Sequence, residues 1–292
     1  MGYFSVFISL LAGSAKGFFG KRISGTVKTQ RQSVLVNSVR MGICVLISLA
    51  MLLPQMLGGG LFIDGAAWAV GVFSGGTLSV FLVTWLLAVR RGAFMLISVT
   101  QMFGMVVTLI CAFIVFSTPL VPRQMLAILL LIVAVLIMGS YSASLKGRLD
   151  WKTVVLLLLC GIFSGLYDFS LKLFASLSSS DISVLNLISY AIAALALGLA
   201  FLLPSREERF DAPSLIRVTL IPILIMSVCL FVNSYFKTLA NQYLSAAQVY
   251  PIYQAGGLIL SAVMSAVFFK EKITVRCVIG MILAFVSILL LK

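Results

Sequence analysis

Gln101-Met102-Phe103-Gly104-Met105-Val106-Val107-Thr108 has a counterpart in Gln254-Ala255-Gly256-Gly257-Leu258-Ile259-Leu260-Ser261, with Gln on Gln, Gly on Gly and Thr on Ser at one offset of 153 residues. Carried on without a gap, the same offset sets Phe116 on Phe269 and Arg123 on Arg276. Neighbouring offsets of 150 and 152 align Ser33-Val34-Leu35 with Ser183-Val184-Leu185, Pro54 with Pro204, and Gly13 with Gly165. Apolar helices resemble one another by composition, so single matches carry little. Matches that keep one order along the chain define an internal repeat.

The repeat lies in a membrane sequence. The 292 residues are 62% hydrophobic and 10% charged, with mean hydropathy +1.18, which exceeds what a water-soluble core of this size requires. A spanning helix takes roughly 20 mainly apolar residues. Such runs are predicted at 3–19, 34–53, 66–89, 93–116, 122–141, 153–173, 183–203, 214–236, 244–269 and 274–291. The expected fold is all-α and integral to the membrane, ten transmembrane helices in two inverted five-helix repeats. An odd number of crossings per half makes the second half enter from the opposite side. The halves are residues 1–148 and 149–292, integrated in one membrane domain, and the stretches Gly20–Lys28 and Pro204–Arg209 read as exposed links.

The formal charge of +13 would suggest nucleic acid in a soluble protein, but here the basic residues sit between apolar runs and orient the chain. Fifteen lysines and arginines, from Lys21 to Arg276, fall in the links after the first, third, fifth, seventh and ninth helices. Arg123, Lys172, Lys237 and Lys292 fall on the other side, with Lys16 and Arg40 set aside as intramembrane. Both termini are therefore expected to face away from the cytoplasm. The N-terminus Met1-Gly2-Tyr3-Phe4 lacks the basic region of a signal peptide. Five cysteines without CxxC spacing, and no histidine, give no disulfide or metal pattern.

Two helical faces carry polar groups. Tyr250, Tyr253, Gln254, Gly257 and Ser261 share one face of the ninth helix, and Thr100, Gln101, Gly104 and Thr108 one face of the fourth. They read as the lining of a central cavity or as interhelical hydrogen bonds, the glycines as packing positions. Asn233 and Tyr235 are further polar candidates, while Asn186 reads as a structural amide and the Gly13/Gly17 and Gly161/Gly165 pairs as close-packing motifs. The offset that joins Gly13 to Gly165 also joins Lys16 to Asp168, opposite charges at equivalent positions, with Lys172 one turn further on. Intramembrane charges are costly and need a reason. Across a pseudo-two-fold axis they form an ion pair or hold the ends of a zwitterion; otherwise Lys16 snorkels and Asp168 pairs with Lys172 along its own helix.

Ala246-Ala247-Gln248-Val249-Tyr250-Pro251-Ile252-Tyr253, and Gly257 through Phe268-Phe269-Lys270-Glu271-Lys272 with Gly280 beyond, resemble the drug/metabolite transporter superfamily, in particular its EamA-type members. Thr118 departs from that pattern, standing where Glu271 stands in the second half. The resemblance implies ten helices and a secondary transporter, not an enzyme. Scattered acids also argue against a metal-dependent lipid transferase. The expected cargo is a small polar metabolite of the amino-acid or organic-anion class, moved across the plasma (inner) membrane by alternating access. A lipophilic-cation (multidrug) exporter and a non-transporting scaffold are the alternatives. Candidate substrate contacts are Lys16, Gln101, Asp168, Lys172, Asn233, Tyr235, Tyr250, Tyr253 and Gln254. The expected partners are the small-molecule substrate and the lipid bilayer, with a proton or sodium as candidate coupling ion and a homo-oligomer as candidate assembly. Cofactor, metal and nucleic acid are not expected.

Overall fold

The structure, a computed structural model, describes residues 1–90, 94–117, 121–142, 151–203, 210–269 and 275–291. Among these residues there is no strand, and ten helices follow one another: α1 (Gly2–Ser24), α2 (Gln30–Leu57), α3 (Gly65–Arg90), α4 (Phe94–Phe116), α5 (Pro122–Ser142), α6 (Trp151–Leu177), α7 (Ile182–Leu202), α8 (Ala212–Tyr243), α9 (Ala246–Phe269) and α10 (Val275–Leu291). Six are long and apolar enough to cross a membrane over Gly2–Ser24, Gln30–Leu57, Gly65–Ala88, Val154–Leu177, Ile182–Leu202 and Ala212–Tyr243. Large side chains such as Leu46, Leu199 and Ile221 are exposed on their outer faces, where hydrocarbon rather than water is the fitting solvent.

Where the helix ends differ from the sequence reading, local chemistry explains it. α2 starts at Gln30, earlier than expected, because Thr29 and Gln32 make a capping box: Gln32 N–H donates to Thr29 Oγ1 at 3.2 Å, and Thr29 N–H to Gln32 Oε1 at 3.3 Å. α1 continues through Gly20-Lys21-Arg22 to Ser24, so most of the expected exposed link there is helix; Ile23 within it and Val27 beyond it are buried in the core. α8 runs to Tyr243, past the end expected at 236. Its last two turns are held by buried side-chain partners of Lys237 and Asn241, so Lys237 lies inside the helix and not at the end of a span. At 32 residues and 1.5 Å per residue, α8 is roughly 48 Å long, so it either tilts or projects beyond the hydrocarbon.

Each of two apolar clusters draws helices from both sides of residue 148. One apolar cluster is built from α1, α2, α3, α6, α7 and α8, and a second from α4, α5, α9 and α10 with Phe169 of α6. α1 lies along α8, α3 along α6 and α7, and α2 along α7 and α8; α4 crosses α6, and α5 pairs with α10. The α4–α6 crossing is glycine to glycine. A Cβ on Gly104 would come within 2.7 Å of the Gly161 carbonyl, a Cβ on Gly165 would run into the Gly104 carbonyl, and Thr108 Oγ1 donates to Gly165 O at 2.9 Å. This is the close approach that small residues permit in membranes. At one end of the larger bundle, α2 stops at Gly58-Gly59, the latter at φ +67°, left-handed backbone that glycine adopts without strain.

Candidate functional site

The buried polar groups converge where α1, α6, α8 and α9 meet. Asp168 on α6 and Lys237 on α8 are 5% and 4% exposed, and Lys237 Nζ donates to Asp168 Oδ1 at 3.0 Å. The same ammonium lies 3.8 Å from the centroid of the Tyr253 ring on α9, a desolvated cation–π contact. Tyr253 is fixed in turn by Asn233, whose Nδ2 donates to the Tyr253 hydroxyl at 2.9 Å and to the Ser9 carbonyl at 2.7 Å; Ser9 Oγ answers by donating to the Asn233 carbonyl at 3.0 Å. Gly13 makes room for this, since a Cβ there would collide with the Tyr253 hydroxyl and approach Asn233 Nδ2 to 2.9 Å. Tyr250 closes the floor: its hydroxyl donates to the Asp168 carbonyl and accepts from Asn241 Nδ2 at 3.0 Å.

Next to this cluster is Arg40 on α2, 1% exposed and among the largest fully buried side chains. One donor, Nη2, reaches the Met226 carbonyl at 3.5 Å, while Nε and Nη1 have no partner among the described residues. Tyr167 and Tyr190 are its electrostatic neighbours. The Tyr167 hydroxyl donates to Ser234 Oγ at 3.1 Å, and Ser234 donates on to Asn186 Oδ1 at 2.7 Å. Lys16 on α1 senses the charges of Arg40, Lys237 and Asp168. It is half-buried, lies 5.9 Å from the Phe81 ring centroid, and makes no hydrogen bond among the described residues.

The candidates read from the sequence separate into groups. Asp168, Asn233, Tyr250 and Tyr253 stand together, whereas the contact Lys16 makes is with the Phe81 ring on α3. The partner of Asp168 is Lys237, not Lys16 or Lys172. Lys172 instead caps α8, donating to the carbonyls of Asn241 at 2.9 Å and Leu244 at 3.4 Å. Tyr235, two residues and so roughly 200° around the helix from Asn233, stacks on Phe231 with ring centroids 6.1 Å apart and packs against the larger apolar cluster. Gln254 is half-buried on α9 beside Tyr253. The Gln101 side chain lies outside the described residues. Lys237 and Arg40, which the sequence candidates do not include, also belong to this buried polar network. The available signal was spacing, since Lys237 sits four residues after Asn233 on the same helical face.

A helical bundle with apolar outer faces and a charged, hydrogen-bonded interior defines a multi-pass integral membrane protein. Residues 151–292, which hold α6 to α10, match the EamA-like transporter family. A crystal structure aligns with 99% of this chain and 95% of its own at a TM-score of 0.73, with 14% sequence identity, a likeness of fold. Comparison with curated proteins found no match.

Proposed function

We propose that the protein is a secondary transporter that carries small polar metabolites, amino acids or organic anions, across the plasma (inner) membrane by alternating access. The Asp168–Lys237 pair, buried between α6 and α8 of the second half with Lys16 and Arg40 of the first half beside it, carries this reading. A charge at the bilayer centre costs about 2.5–3.5 kcal/mol on insertion scales, so interior charges that persist mark a path for polar cargo. The pair also speaks against a lipophilic-cation exporter, because Asp168, the acid inside a helix among the described residues, is already matched by Lys237.

The pattern of helix neighbours supports two inverted repeats. If α1 to α5 correspond to α6 to α10, then α1 on α8 corresponds to α6 on α3, α3 on α7 to α8 on α2, and α4 on α6 to α9 on α1; all six contacts occur. α2 with α7, α4 with α9, and α5 with α10 are then pairs of equivalent helices meeting at the pseudo-axis. The 150-residue offset adds that Arg40 corresponds to Tyr190, its electrostatic neighbour. The bias of Lys and Arg puts the links after α1, α3, α5, α7 and α9 in the cytoplasm and both termini outside.

Uptake of labelled alanine, glutamate, succinate and methyl phosphate into proteoliposomes tests the proposal, with wild type beside Lys237→Met and Asp168→Asn proteins that retain their helical content. At least one cargo should enter with wild type and at least tenfold more slowly with each variant. Undiminished flux in both variants, or movement of lipophilic cations alone, would overturn it.

A further inference from the structure

Arg40 and Lys16 are two cations left over when the interior charges are matched. Lys237 is neutralised by Asp168 at 3.0 Å. Of the other acids among the described residues, Asp64 is held by Ser178 and Ser179, and Asp181 and Asp211 cap helices α7 and α8. None of them is a salt-bridge partner of Lys16 or Arg40. Leaving a guanidinium buried with Nε and Nη1 unpartnered is expensive unless something arrives to bind it.

The surroundings leave room for that arrival. Gly13, Gly17 and Gly20 lie on one face of α1, about one turn apart. A Cβ on Gly13 would strike Tyr253, and one on Gly20 would strike the Trp85 ring, so both ends of this face are tightly covered. A Cβ on Gly17, between them and next to Lys16, would meet nothing within 4 Å. Cys229 of α8 is an electrostatic neighbour of both cations. An open space thus sits beside Lys16 on the protein-facing side of α1, with the free donors of Arg40 nearby.

We infer that Lys16 and Arg40 form a subsite for a dianionic group, a phosphate monoester or a small dicarboxylate. Two positive charges without a counter-charge among the described residues are balanced by two negative ones, and a planar guanidinium with free donors suits carboxylate and phosphate oxygens. A zwitterionic amino acid carries no net charge and leaves the excess in place. This rests on the transporter reading for the role of the cavity, but dianion binding is measured without transport, so the two can fail separately.

The test is thermal stabilisation of the purified protein at pH 7.5 and constant ionic strength, with methyl phosphate, succinate, alanine and chloride as probes, since a ligand of the folded state raises apparent stability. Methyl phosphate or succinate should raise the midpoint saturably, with alanine and chloride ineffective. Lys16→Gln, which breaks no hydrogen bond, should weaken dianion affinity at least tenfold, and Gly17→Leu, which fills the space without touching a charge, should abolish it. Arg40→Lys should retain more affinity than Arg40→Gln. Equal stabilisation by alanine or chloride, or dianion affinity unchanged in Lys16→Gln and Gly17→Leu, would overturn the inference. Stabilisation by dioctanoyl phosphatidic acid with none from the free dianions would also overturn it, assigning the charge to a lipid headgroup. Uptake of alanine by a protein that ignores dianions would refute the subsite and leave the transporter reading standing.

Discussion

Asp168 could be picked out in the sequence as an acid inside an apolar run, but its partner could not. The repeat pointed to Lys16 because the two occupy equivalent positions; the structure joins Asp168 to Lys237, which looks like the end of a span because a lysine interrupts the hydropathy there. Removing one member of a buried pair strands the other charge, a loss of about 3–5 kcal/mol, whereas replacing both by apolar groups is often close to neutral. Thermal unfolding in detergent should therefore show Lys237→Met and Asp168→Leu each strongly destabilised and the double variant recovering most of the loss. Equal and additive losses would show that the pair is not coupled. Gly13 gives a second test. Gly13→Ala crowds the Tyr253 hydroxyl, and overpacking of this kind costs about 1–3 kcal/mol. Adding Tyr253→Phe removes the nearest atom, so the double variant should be more stable than Gly13→Ala alone; a further fall would place the strain elsewhere.

The helices were legible one by one because a hydrocarbon crossing imposes an apolar run of about 20 residues. Their ends were less so. The capping box at Thr29 and Gln32 and the carboxylate caps depend on local hydrogen bonds, and the last turns of α8 depend on tertiary partners no hydropathy window contains. In the sequence Gly104, Thr108 and Gly165 read as packing positions or as lining; the structure uses all three at the α4–α6 crossing. Gly104→Leu should separate α4 from α6, visible as loss of a disulfide engineered across that crossing; undisturbed cross-linking would contradict the close approach.

Links between helices add a pH dependence. Asp64 caps α3 by accepting from Ala67 N–H at 2.6 Å and holds the α6–α7 link through Ser178 Oγ at 2.9 Å and Ser179 N–H at 2.9 Å. The Ser179 amide above all, then the Ala67 amide and the neighbouring serine hydroxyls, hold its carboxyl below the usual carboxylate range. A depressed folded-state pKa gives stability that is complete above the unfolded value of about 3.9 and lost as pH falls through the folded one. Wild type should therefore lose thermal stability more steeply below about pH 4 than Asp64→Asn does; parallel curves would exclude this latch.

For the molecule as a whole, the order of ten helices was readable from the sequence and their neighbours were not. Nothing in the apolar run of α4 says that it will cross α6, or that α4, α5, α9 and α10 will share a core of their own. The interior cations show the same division: Lys16 stood out as a charge in an apolar run, whereas the unmatched state of Arg40 becomes visible only once its neighbours are in place. Counterflow tests the carrier account most directly. Proteoliposomes preloaded with an unlabelled cargo and diluted into its labelled form should accumulate label transiently above equilibrium, because a carrier that alternates exchanges one molecule for another. Label that only equilibrates, with no stimulation from the opposite side, would reveal a channel, and no protein-dependent label at all a scaffold; either result would contradict the account.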